Sequence, residues 1–430
     1  MFFAPKLPIT TYEKVVIETE IQRLMDGFGV EHLRKQRVLF PDDSGLGLQS
    51  LSQEQDVVEL RNRIAAIFGV DENVVDVEFG EVDDWGFETA IRHDDGRVIS
   101  QVRKDMLHDR VRVATHLAAS CSSHVLRESS HADIVCESLR EYVAMWYGFG
   151  PMMADASVRT SQFMNGGWDQ WSISRLGLLS AIQLGYAMAV QAYVLGDGLP
   201  QWHANLTIDA RESMAKGFKY LTKTTDCLVD VENSSLLWDR AQIEQNLTSR
   251  FASNRLVALQ RFPDSGDTLD ETEVVQTLVT INDKDLNVRQ RAYQLLEFAP
   301  SSTAEVVQAI EYGFDDPDIT IRASSLRASG VHGHAIEGLE FRLRRVLKSS
   351  DRELMVHAAA SMAANELCDD ESLKVLLEKL KISLVRGNGD APTLISVLRY
   401  VHDDCEQLVM AYFEHDEDLQ NSVSHLLDDA

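Results

Sequence analysis

The chain has 430 residues, with 68 acidic and 41 basic side chains and a formal net charge of −27. A charge this negative repels nucleic acids and anionic lipid surfaces, so we expect neither as a partner. The mean hydropathy of −0.17 and the lack of an apolar run of about twenty residues predict no membrane span.

The start of the chain and its cysteines indicate the compartment. The opening MFFAPKLPIT lacks the basic and apolar regions of a secretory signal. The five cysteines are scattered and form no CxxC pair, a pattern typical of free thiols rather than of a disulfide framework or a structural zinc site. We therefore expect a cytoplasmic protein.

The two parts of the chain differ in composition. Residues 1–250 carry 24 basic and 36 acidic side chains, whereas residues 251–430 carry 17 and 32 in a shorter stretch. All six tryptophans and most of the strand-like patterns fall in the first part. We predict two domains, residues 1–245 and 246–430.

In the first part, helices and strands are predicted to alternate before a run of helices. Thr10 and Glu13 fit a capping box that begins the first helix, and Asp94-Asp95-Gly96 fits a hairpin turn. Apolar spacing predicts helices over residues 10–28, 52–68, 106–128, 133–147, 172–195 and about 200–222. Strands are predicted over residues 37–40, 74–79, 87–91 and 97–102. This order indicates an α+β domain, mostly helical, with a small and mostly antiparallel sheet.

The second part repeats a short string. Asn254-Arg255, Val288-Arg289, Ile321-Arg322 and Val356-His357 are each followed three residues later by a small side chain. Their second members are 34, 33 and 35 residues apart, a period typical of stacked helix pairs. With acidic turns before three of them, the strings resemble HEAT repeats. That resemblance implies an all-α solenoid over about residues 250–430, with residues 416–427 as a capping half-repeat and a surface that binds proteins.

Residues 115–141 are the part of the chain in which we looked for chemistry. A zinc hydrolase of the HExxH type needs two histidines four apart on a helix, a glutamate beside the first as general base, and a third ligand from the next helix. His124 is followed 13 residues later by Glu137. Glu141 comes one turn after Glu137, where a carboxylate could orient a ligand.

Residues 1–222 resemble a group of uncharacterised bacterial proteins with a compact gluzincin-type metallopeptidase domain. The resemblance is carried by Phe3–Pro8, Arg37–Pro41, Glu137–Gly150 and Gly185–Ala189. It implies a zincin-like fold in which His124 and Glu137 occupy ligand positions and Glu141 the supporting carboxylate. Ser120 stands where that domain has its first histidine, and Cys121 stands where it has the catalytic glutamate.

These two exchanges argue against peptidase activity. A neutral serine hydroxyl is a poor zinc ligand, and the loss of a general base alone costs about 10²–10⁴ in rate. Cys121 would be mostly protonated at neutral pH if its pKa were near the free value of about 8.5. We expect a non-catalytic pseudoenzyme that holds no metal or other cofactor. It would act as a scaffold through its repeats, on a protein partner whose basic charge would suit the acidic chain.

Alternatives remain at this stage. One is a zinc-dependent hydrolase with an altered metal site around His124 and Glu137, to which Cys121 or His131 would contribute. His116 lies two turns before His124, about 12 Å along the helix axis, too far to replace Ser120 without rearrangement. Another is a cysteine nucleophile with His124 as its base, because residues three apart on a helix can meet.

Overall fold

The computed structural model describes residues 5–48, 53–81, 89–94, 96–128, 137–165, 168–175, 177–262, 268–387, 389–402 and 404–429. The chain divides into two compact units, Met1–Ala241 and Gln242–Ala430. It is mostly helical with a small three-stranded sheet. None of the described helices combines the length and the apolar composition that crossing a bilayer requires.

The helices of the first unit surround one apolar core, whose largest buried side chains include Trp146, Tyr142, Tyr186 and Phe149. The helices are α1 (Thr11–Phe28), α2 (Val30–Lys35), α3 (Glu54–Phe68), α4 (Arg110–Glu128), α5 (Glu137–Ala144), α6 (Gly150–Ala156), α7 (Ala181–Leu195), α8 (Ile208–Thr224) and α9 (Arg240–Leu247), the last of which runs across the division. The capping box predicted for α1 is confirmed, because Thr10 accepts from the Glu13 backbone and the Glu13 side chain accepts from Thr10.

The small sheet has the strand order β1 (Val75–Gly80), β3 (Arg97–Arg103), β2 (Thr89–Asp94). The predicted hairpin is confirmed, since β2 and β3 pair antiparallel with Asp94 opposite Arg97. β1 pairs parallel to β3, so the sheet is mixed and not mostly antiparallel. β3 is the central strand and carries the buried residues Val98 and Val102, and α4 packs against it.

Several predicted elements differ from the structure. Residues 37–40 are extended but form no strand; Leu39 N–H instead donates to the carbonyl oxygen of Gly148 at 2.9 Å. The helix predicted from residue 52 begins with a capping box of Gln53 and Asp56, and residue 52 lies outside the described residues. α4 begins at Arg110 after a 3₁₀ turn, and α5 ends in a π-helical turn over Met145–Phe149.

The predicted helix over residues 172–195 is wrong in its first part. Val158–Asn165 (β4) and Trp168–Arg175 (β5) form an antiparallel hairpin, and α7 begins only at Ala181, after a capping box between Ser180 and Gln183. Apolar residues spaced three apart across residues 173–179 fit a helix as well as a strand followed by a loop. Periodicity alone does not separate such short runs.

A buried charged network ties α1 to the rest of the first unit. Lys14 Nζ lies 2.7 Å from Glu18 Oε2 and 3.2 Å from Asp226 Oδ1, with all three side chains at most 3% exposed. The hydroxyl of Tyr186 donates to Glu18 Oε1 at 2.6 Å. Burial raises the pKa of Glu18, and the charge and hydrogen bond of Lys14 oppose that rise. The attraction and hydrogen bonds offset the desolvation of these charges only while all partners are present.

The second unit is a stack of helices. Among them α10, α12, α14, α16 and α18 pack against one another in order, and each of the last four also packs on the helix before it. The helices are α10 (Ala252–Gln260), α11 (Glu271–Thr280), α12 (Leu286–Leu295), α13 (Ala304–Phe314), α14 (Ile319–His332), α15 (Leu339–Leu347), α16 (Arg352–Ala364), α17 (Asp370–Arg386), α18 (Ala391–Val401), α19 (Cys405–Tyr412) and α20 (Glu417–Asp429).

One contact recurs in three successive repeats of this stack. The guanidinium groups of Arg255, Arg289 and Arg322 each donate to the backbone carbonyl six residues upstream, at 2.7, 2.8 and 2.7 Å. The acceptors are the carbonyls of Ser249, Asp283 and Asp316. Each arginine thus holds the turn that precedes its own helix, which explains why the arginine and the turn repeat together.

In the fourth repeat of this stack, the helix and its cap align two residues earlier than the repeated sequence string predicts. Its helix is capped by Asp351, as α12 and α14 are capped by Asp285 and Asp318. Counting from the cap places Met355 at the arginine position, not His357. The small buried residue of this repeat is then Ala358, which is 0% exposed.

Candidate functional site

The predicted motif lies on α4, of which one side faces the small sheet. Ser123 Oγ lies 3.0 Å from Nε2 of His93 on β2, while Nη1 of Arg127 lies 3.1 Å from Nδ1 of the same ring. Because the guanidinium can only donate, Nδ1 is the acceptor and Nε2 carries the proton that Ser123 receives. Burial and the neighbouring arginine charges lower the pKa of His93, so this ring is neutral at pH 7.

Ser120, which the resemblance would place at the position of a first zinc ligand, is fully buried, with 0% of its surface exposed. Its hydroxyl donates to the carbonyl oxygen of His116, one turn earlier on the same helix, at 3.0 Å. Serine side chains inside helices often satisfy themselves in this way. The hydroxyl of Ser120 is therefore used inside its own helix.

Cys121, which the resemblance would place at the position of the catalytic base, belongs to the apolar core and is 0% exposed. Burial raises the pKa of its thiol to about 12, and the charge of Arg61 opposes that rise only in part. At neutral pH the thiol is thus protonated and out of contact with solvent. It can act neither as a carboxylate-like base nor as the thiolate that a cysteine nucleophile requires.

His116 lies beneath the sheet and is 6% exposed. Burial lowers its pKa to about 4, and the charge of Arg140 lowers it further, while backbone hydrogen bonds to Ala90 and Gln101 act in the opposite direction. Its Nε2 has no hydrogen-bond partner in the described part of the chain. His116 is a neutral, enclosed ring that faces strand backbone.

Glu141 on α5 has a structural partner that the sequence does not reveal. Its two carboxylate oxygens accept from the backbone N–H groups of Leu178 and Leu179, at 2.5 and 2.9 Å. Gly177, before them, has φ +80, and a Cβ there would lie 2.7 Å from Glu141 Oε1. Glu141 therefore holds the loop that enters α7, and both of its oxygens are occupied.

Part of the predicted ligand set cannot be placed. His124 is half-buried and makes no hydrogen bond with the described residues. Glu137 begins α5, but its side chain lies outside the described part of the structure, as does all of His131. The described residues contain no group of three His, Cys, Asp or Glu side chains that could hold a metal ion. The hydroxyl of Ser120 is engaged within its own helix, and the thiol of Cys121 is protonated and enclosed in the core.

The second unit contains a groove that the sequence analysis missed. It has a volume of about 610 Å³ and lies between α11 and α13, with α12 beneath. We call it the acidic groove; its lining includes Asp283, Glu305, Tyr312, Asp316 and Arg289. Residues 271–318 contain ten acidic and three basic side chains, and this local charge is the one signal that could have pointed to it.

The guanidinium groups near the acidic groove are already engaged. Arg289 donates to the carbonyl oxygen of Asp283, and Arg255 forms a two-pronged pair with the Asp283 carboxylate at 2.6 and 2.7 Å. Tyr312 lines the groove and is 67% exposed. The groove thus combines an exposed aromatic side chain with carboxylates.

Comparison of the chain with known protein families and with curated protein sequences gives no match.

Proposed function

We propose that the protein is a non-catalytic, cytoplasmic binding protein. Its first unit would be a zincin-like domain that has lost the reaction, and its second unit a HEAT-like array that binds a basic segment of a protein partner. The observation that carries the first half is the commitment of Ser120 and Cys121 to helix and core. The four cysteines with described positions are free thiols, in keeping with a reducing compartment.

The loss of the reaction follows from the physical state of the motif positions. A zinc ligand must offer a lone pair outward, and a general base must be ionised within reach of water. Ser120 donates inward to its own helix, and Cys121 holds its proton at neutral pH because it is enclosed. The loss of the base alone accounts for about 10²–10⁴ in rate.

The binding surface is argued from charge and exposure. The acidic groove is lined by carboxylates from two turns and one helix, with the exposed Tyr312 beside them. Exposed aromatic residues beside complementary charges are typical of interface centres. A partner segment of alternating basic and aliphatic residues would place its charges on Glu305 and Asp316 and its apolar side chains on Tyr312.

A labelled peptide tests the binding half. A fluorescein-tagged peptide of alternating lysine and leucine is titrated with the full chain at low and physiological salt, beside a counterpart with glutamate in place of lysine. We expect saturable binding of the basic peptide alone. Tyr312→Ala should weaken it about tenfold, the usual effect of truncating a central interface aromatic.

Matched variants separate the groove from the overall negative charge. Tyr400 is 69% exposed on α18, so Tyr400→Ala removes an equally exposed tyrosine outside the groove and should leave affinity unchanged. Glu305 and Glu353 are both exposed in the first turn of a helix. Glu305→Lys should weaken binding more than Glu353→Lys, and equal effects would mean that only net charge is being sensed.

A further inference from the structure

A second cavity lies in the first unit, where the π-helical turn Met145–Phe149 meets α7 and the loop after it. Its volume is about 220 Å³. The lining is mainly apolar and aromatic, and includes Trp146, Trp202, Met145, Met188, Pro151 and Leu195. Concave, mostly apolar sites with a few polar groups are the usual form of small-molecule sites.

The chain builds this pocket with an unusual backbone. Gly148, inside the π-helical turn, has φ 94, and a Cβ there would lie 2.1 Å from the carbonyl oxygen of Arg37. Only glycine allows the extended segment carrying Val38 to lie against the turn, and both Val38 and Gly148 line the pocket.

Gln191 places a buried, unpaired donor at the wall of the pocket. It lies on α7 and lines the cavity, and its Nε2 is buried without a hydrogen-bond partner among the described residues. The indole nitrogen of Trp146, by contrast, already donates to Nδ1 of His32 at 3.0 Å. A buried donor left unpaired is unfavourable, so an acceptor that arrives with a ligand would relieve that cost.

The charged groups at the rim limit the class of ligand. Arg34 lines the pocket but is paired with Glu31 at 2.6 Å, and Asp197 adds a negative charge to the rim. Together with the net charge of −27, these groups disfavour an anion. For size, an engineered apolar cavity of about 150 Å³ holds benzene, so this pocket takes a ring with a small substituent.

We propose that this pocket binds a small, neutral, mostly apolar molecule with one aromatic or aliphatic ring and a carbonyl oxygen that accepts from Nε2 of Gln191. The proposal concerns the first unit alone and does not depend on the acidic groove.

Two near-isosteric probes test it: acetophenone, which has a carbonyl oxygen, and α-methylstyrene, which has a methylene group in its place. Each is titrated into the full chain labelled with ¹³C in the methionine methyl groups. The signals of Met145 and Met188 should shift saturably, while that of Met214, in the core away from the pocket, should not. Acetophenone should bind about five- to tenfold more tightly, as one neutral hydrogen bond allows.

Variants of Gln191 test whether this residue causes the preference for acetophenone over α-methylstyrene. Gln191→Leu and Gln191→Glu both remove the donor, and each should abolish the advantage of acetophenone over α-methylstyrene. Gln201→Leu makes the same change at an exposed residue that does not line the pocket and should retain the advantage. Ala192→Phe fills the pocket and should stop both probes from binding.

Two results would overturn the proposal. One is the absence of saturable shifts at Met145 and Met188 with either probe. The other is an acetophenone preference that survives in Gln191→Leu, because the carbonyl would then be recognised elsewhere. The test of the acetophenone preference needs only the Gln191 variants, so it can be made even if Ala192→Phe does not fold.

Discussion

The hydroxyl of Ser120 donates to the carbonyl oxygen of His116 at 3.0 Å, in a stretch of α4 where both side chains are at most 6% exposed. A residue that would stand at a metal ligand position therefore completes the hydrogen bonding of its own helix. The next residue, Cys121, completes the apolar core. We therefore expect this helix to behave as a structural element.

Restoring the glutamate of the HExxH motif should destabilise the protein. Cys121→Glu places a carboxylate at a position that is 0% exposed, and an unpaired buried charge costs about 3–5 kcal/mol. Cys121→Ala, which only shortens the side chain, should cost about 1 kcal/mol. Urea unfolding of the two variants measures both. A Cys121→Glu protein as stable as wild type would mean that the site is open to water.

His116 should make stability fall in acid. Its folded pKa is about 4 against an ordinary value of 6.5, so below pH 6.5 the unfolded chain takes up a proton that the folded chain does not. Stability is then lost as pH falls from 6.5 towards 4, by up to about 3 kcal/mol. The urea midpoint against pH should be flatter over this range in His116→Gln. Parallel profiles would contradict the buried neutral ring.

Glu141 should act as an anchor for the loop before α7. Glu141→Ala leaves the N–H groups of Leu178 and Leu179 without their acceptor and should lower the free energy of unfolding by about 2 kcal/mol. Hydrogen exchange at those two amides should speed up more than elsewhere in the first unit. Glu128→Ala removes an exposed carboxylate at the end of α4 and serves as the control, with little change expected.

The repeated arginines should differ in how much they contribute to the free energy of unfolding. Arg255 holds both a backbone carbonyl and the Asp283 carboxylate, in a pair with side chains 16% and 10% exposed. Arg322 holds backbone carbonyls alone. Arg255→Ala should therefore cost about 3 kcal/mol and Arg322→Ala about half as much. Equal losses in chemical unfolding would show that the carboxylate pair adds nothing.

Local patterns predicted local structure well. The Thr10–Glu13 box and the β2–β3 hairpin are each set by residues close in sequence, and both are found in the structure; Asp95, in the predicted turn, lies outside the described residues. The end of β5 was predicted as the start of a helix because the apolar spacing of residues 173–179 fits both, and a capping box at Ser180 marks where α7 begins.

The features that the sequence did not predict depend on contacts between residues that are distant along the chain. Glu141 meets Leu178 and Leu179 across 37 and 38 positions, and Lys14 meets Asp226 from the other end of the unit. No spacing rule connects such pairs. The resemblance predicts that Ser120 and Cys121 are exchanged positions, but only the structure shows that Ser120 contacts the carbonyl oxygen of His116 and that Cys121 lies in the core.

Zinc binding tests the central claim most directly. Protein treated with a chelator is titrated with zinc by calorimetry, for wild type and for His124→Ala, and the metal content of the untreated protein is measured beside it. We predict no stoichiometric zinc and the same titration curve for both chains. One zinc per chain, bound by wild type and lost in His124→Ala, would contradict the account.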